Sequence, residues 1–66
     1  MNIENSIILD IVSKYPQTED VFRTYDEKAG KCVLCHYLFE SPKELAGQIG
    51  IDEKVLFKEI EDSIAG

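Results

Sequence analysis

The stretch that decides the fold is Ser41 to Ile60, SPKELAGQIGIDEKVLFKEI. Ser41 stands where an N-cap belongs, Pro42 at the first helical position and Glu44 three residues after the serine. Together they spell a capping box. Leu45 and Ile49 lie one turn apart, and Gly50 is the residue that ends helices with positive φ. Asp52 then caps a second helix, in which Leu56, Phe57, Ile60 and Ile64 recur at helical spacing.

Upstream, the same periodicity holds. From Ser6 as N-cap, Ile8, Ile11, Val12 and Tyr15 fall on one helical face, and Pro16 stops the segment. Thr18 reads as the cap of a shorter helix, with Glu19 and Asp20 in its first turn, where the dipole favours acids. Val21, Phe22 and Tyr25 face inward there. Residues 26–31, Asp-Glu-Lys-Ala-Gly-Lys, read as an exposed loop in which Gly30 is free to take φ > 0. Residues 32–39 read as a third short helix. Nowhere does the pattern alternate with period two. The expectation is an all-α fold, a compact array of about five short helices forming a single small helical CxxC domain over residues 1–66.

Size and composition narrow the function. A chain of 66 residues buries only about 60% of the surface it exposes when unfolded, so its stability margin is thin. The hydrophobic fraction of 44% is too high for a disordered chain. A net charge of −6 opposes binding to nucleic acid or an anionic membrane, both of which need clustered Lys and Arg, and suits a protein partner instead. The longest apolar run, Cys32-Val33-Leu34-Cys35, is far too short for a bilayer. Met1-Asn2-Ile3-Glu4-Asn5 lacks the basic and long apolar regions of a secretory signal, so a cytoplasmic location is expected.

In that compartment a close cysteine pair is usually catalytic, redox-sensing or metal-binding rather than structural. Both cysteines and the single histidine lie together as Cys32-Val33-Leu34-Cys35-His36. The pattern C-x-x-C-H is the attachment signature of c-type haem. It is set aside here, because the chain has no second histidine and Met1 is its sole methionine. Zinc or an iron–sulfur cluster is the alternative. Cys32, Cys35 and His36 supply three ligands, and a fourth would come from Glu40, from Asp26 or from a second copy of the chain.

The chemistry of the pair favours dithiol–disulfide exchange. Cysteines at i and i+3 at a helix start can close a disulfide, and the helix amides stabilise a thiolate. Lys28 and Lys31 add positive charge beside Cys32, and His36 at i+4 can act as a proton partner. Cys32 is then the attacking thiol and Cys35 the resolving one. Besides that exchange, no standalone catalysis is expected: no paired carboxylates, Ser-His-Asp set or phosphate-cradling glycine loop is present. The alternative for the cysteines is inert apolar filling of a core.

In order along the chain stand the helix ending Lys14-Tyr15-Pro16, then Val21-Phe22 and Tyr25, then Cys32-Val33-Leu34-Cys35. Glu40-Ser41, Glu44-Leu45-Ala46 and Gly50-Ile51-Asp52 follow. This order, over about residues 3–64, resembles the hybrid-cluster-protein-associated redox disulfide family, a small bacterial and archaeal domain family of unknown function. It is more distantly similar to the N-terminal domain of the di-iron iron–sulfur cluster repair proteins. The resemblance implies about five short helices, a redox-active pair at Cys32 and Cys35, and a link to hybrid-cluster or iron–sulfur proteins as partners. The chain departs from the family in its longer charged loop at 26–31, in Val33-Leu34 between the cysteines and in His36 after them.

Two interaction readings complete the sequence. Residues 44–64 mimic a helix-turn-helix, but the would-be recognition helix carries Asp52, Glu53, Glu59, Glu61 and Asp62 against Lys54 and Lys58, and DNA phosphates would repel it. Tyr37, Leu38 and Phe39 are either core residues or a docking patch around the thiols, and a homodimer would join two such patches.

Overall fold

The computed structural model describes residues 5–66; residues 1–4, read above for signal character and a haem ligand, lie outside them. Among the described residues six helices follow one another: α1 Ile8–Lys14, α2 Thr18–Arg23, α3 Asp26–Ala29, α4 Val33–His36, α5 Pro42–Ile49 and α6 Glu53–Ala65. No strand occurs among the described residues, in keeping with the all-α expectation. The sixth helix is α3, a single turn inside the segment read as a loop. It ends at Gly30, whose φ of 72° is the left-handed conformation foreseen for it.

The strongest sequence signals are met residue for residue. The Ser41 hydroxyl accepts from Glu44 N–H at 3.2 Å while Glu44 Oε1 accepts from Ser41 N–H at 3.0 Å, which closes the capping box. Gly50 ends α5 at φ 74°. Asp52 Oδ1 accepts from Lys54 N–H at 2.9 Å and starts α6.

Two caps differ from expectation. Ser6 is not the N-cap of α1; Ile7 holds that position, with no side-chain cap. The first amides of α1 are met from afar: Ile8 N–H donates to Glu40 O and Leu9 N–H to Leu38 O, each at 2.8 Å. Nor does Thr18 cap α2. It is the first residue of that helix, fully buried, and its hydroxyl donates to Tyr15 O at 2.7 Å. The turn at Pro16-Gln17 aims the Tyr15 carbonyl at both the hydroxyl and the N–H of Thr18, so the threonine donates where a cap would accept.

The core gathers Ile8 and Ile11 of α1, Phe22 of α2, Val33 of α4, Leu45 and Ala46 of α5, and Leu56 and Ile60 of α6. Tyr25, the N-cap of α3, and Tyr37, the C-cap of α4, join it. Val12, Ile49 and Ile64 border this cluster half-buried. The long α6 packs on α5 and α2, and α2 also supports α4. That last contact seats the cysteine segment on the core. No helix among the described residues is long and apolar enough to cross a membrane.

Candidate functional site

Cys32 and Cys35 are joined in a disulfide across a Cα–Cα distance of 5.2 Å. The expected helix over residues 32–39 is in fact one turn, Val33–His36, with Cys32 as its N-cap in extended conformation (φ −65°, ψ 113°). The Cys32 sulfur accepts from Cys35 N–H at 3.2 Å, as a serine would at this position. A four-residue helix carries little macrodipole, so support for a Cys32 thiolate comes from directed amides such as this Cys35 N–H.

The pair is not core filling. Cys32 is half-buried and Cys35 exposed, while Val33 between them is fully buried and pins the turn to the core. The tyrosine after the site is also core: Tyr37 is 7% exposed, whereas Phe39 is 78% exposed. The stretch read as either core or docking patch therefore divides, with Leu38 half-buried between the two. Only Phe39 of the three presents a full apolar face to solvent.

His36 is the last residue of α4 and exposed, one turn from Cys32 as its spacing requires. Lys28 and Lys31 lean on aromatic rings, Lys28 Nζ 5.8 Å from the Tyr25 centroid and Lys31 Nζ 5.3 Å from that of Tyr37. These cation–π contacts direct both ammonium groups along the core's edge.

The proposed extra metal ligands are engaged elsewhere. Asp26 Oδ1 accepts from Val33 N–H at 2.9 Å, and the Glu40 carboxylate accepts from the Gln48 side-chain amide. Among the described residues no group of three or more His, Cys, Asp or Glu side chains is arranged to hold a metal ion. With their sulfurs bonded to each other, Cys32 and Cys35 supply no thiolate ligand in this state.

Sequence reasoning missed the part Asp26 plays here. Its carboxylate reaches Val33 and its carbonyl accepts from Lys31 N–H at 3.2 Å, so one residue holds both neighbours of Cys32. The separation of seven residues from Asp26 to Val33 matches no capping motif, and only the turn of α3 closes it. No family model, curated protein or solved structure matches this chain.

Proposed function

We propose that this chain is a thiol–disulfide exchange domain whose Cys32–Cys35 pair cycles between dithiol and disulfide. The observation that carries this reading is an i, i+3 disulfide with one sulfur exposed and the other capping a helix turn. An incoming thiolate attacks the exposed Cys35 sulfur, the S–S bond breaks, and Cys32 leaves as a thiolate that Cys35 N–H helps to hold. A second thiol of the reductant then attacks the reductant sulfur bonded to Cys35 and expels Cys35 as a thiolate, which takes a proton, leaving a reduced pair and an oxidised reductant. In the other direction the steps reverse: the exposed Cys35 thiolate attacks a target disulfide and Cys32 resolves the mixed disulfide, the opposite of the roles expected from Cys32 lying nearer the lysines. His36 exchanges the proton with solvent. The order of sequence elements supports a hybrid-cluster or iron–sulfur protein as the target.

Intact mass of protein purified without reductant tests the reading, alongside metal analysis of the same sample. A mass lower by two hydrogens, restored by dithiothreitol, supports exchange. Stoichiometric zinc or iron bound to reduced thiols would replace this reading with a metal-binding one. Variants Cys32→Ser and Cys35→Ser should each trap a mixed disulfide with oxidised glutathione, releasing one reduced glutathione, faster for the variant that keeps the more reactive thiol.

A further inference from the structure

Asp26 grips the chain on both sides of Cys32, through Lys31 N–H at its carbonyl and Val33 N–H at its carboxylate. The carboxylate takes up Val33 N–H, the first amide of the turn and the one immediately after Cys32. The sulfur itself accepts from the Cys35 N–H. The two nearest cations in the chain, Lys28 and Lys31, lie over Tyr25 and Tyr37.

We infer that Asp26 is a positioning residue that sets the redox balance of the pair: its negative charge disfavours the Cys32 thiolate and makes the disulfide harder to reduce. The inference rests on the exchange reading above and specifies its regulation. A carboxylate held on the amide next to a cysteine opposes ionisation of that thiol, and a dithiol whose thiolate is less stable has a more negative reduction potential. In the measured reaction two glutathione thiols give up two electrons and two protons and form one glutathione disulfide. The Cys32–Cys35 bond takes these up and becomes two thiols.

Asp26→Asn removes the charge and keeps an oxygen to accept from Val33. The wild type and the variant are equilibrated with mixtures of reduced and oxidised glutathione at one pH and low salt, then acid-quenched, alkylated and weighed. The equilibrium constant should move toward the dithiol about threefold to tenfold in Asp26→Asn, a potential about 15 to 30 mV less negative. Glu27→Gln, the same change of net charge one residue away, should leave it within about twofold. An unchanged or opposite shift in Asp26→Asn, or an equal shift in Glu27→Gln, overturns the inference. Should Asp26→Asn not fold, Asp26→Ser takes its place; failure of both to fold leaves Asp26 a structural cap and also overturns it. A wild type that never exchanges with glutathione sinks the exchange reading itself, whereas exchange that Asp26→Asn leaves unmoved sinks this inference alone.

Discussion

The Tyr25 hydroxyl donates to Glu59 Oε1 at 2.8 Å, tying the start of α3 to α6 across 34 residues of chain. Burial, with the hydrogen bond and charge of Glu59 adding to it, pushes the Tyr25 phenol up to about 12 from an ordinary 10. The protonated phenol is thus favoured in the folded state. Its contribution is complete below pH 10 and is lost as pH rises from 10 through 12. Alkaline unfolding followed by circular dichroism should steepen in that window. Tyr25→Phe should lower stability at neutral pH by about 1 kcal/mol and flatten the dependence between pH 10 and 12; an unaltered alkaline profile would refute the role given to this bond.

The capping box gives a second measurement. Ser41→Ala removes the acceptor for Glu44 N–H and should cost about 1 kcal/mol. For a domain of this size the melting temperature should fall by about 4 to 8 °C.

Two glycines of the same helix region should respond with opposite signs to alanine. Gly47 lies inside α5 with open space where a Cβ would go, so Gly47→Ala should stabilise by about 0.5 to 1 kcal/mol. Gly50 has equal space but a φ of 74°, and Gly50→Ala should destabilise by about 1 kcal/mol. Urea midpoints of the two variants, falling on either side of wild type, check the pair at once.

Phe22 is fully buried at the centre of the core. Phe22→Ala should cost about 3 to 5 kcal/mol, a large share of the whole stability of a domain this small. Loss of amide dispersion in a proton–nitrogen correlation spectrum at 25 °C is the expected outcome. Phe39→Ser, at an exposed position, should leave the melting temperature within about 2 °C.

The elements best read from sequence are those whose signals are local. Ser41 with Glu44, Gly50, and Asp52 act over four residues or fewer, and each works as its spacing indicates. Most of the core stripes of α1, α2 and α6 follow from the 3.6 period because one face of each helix must leave water, but Tyr15 and Phe57, at the same spacing, stay half-buried outside the core cluster. What could not be read depends on chain brought together from a distance. Ser6 was the natural cap by spacing, yet Leu38 and Glu40 supply the acceptors. Thr18 had the right identity for a cap, and the preceding turn made it a buried donor. At the site, the cysteine spacing announced a disulfide-competent pair, while the grip of Asp26 on both sides of Cys32 needed the single turn of α3.

The remote capping of α1 also orders events during synthesis. While a ribosome is still adding residues before Glu40, the opening amides of the first helix have only water to meet them. That helix must therefore await the middle of the polypeptide, and a nascent chain halted short of residue 40 should carry it frayed.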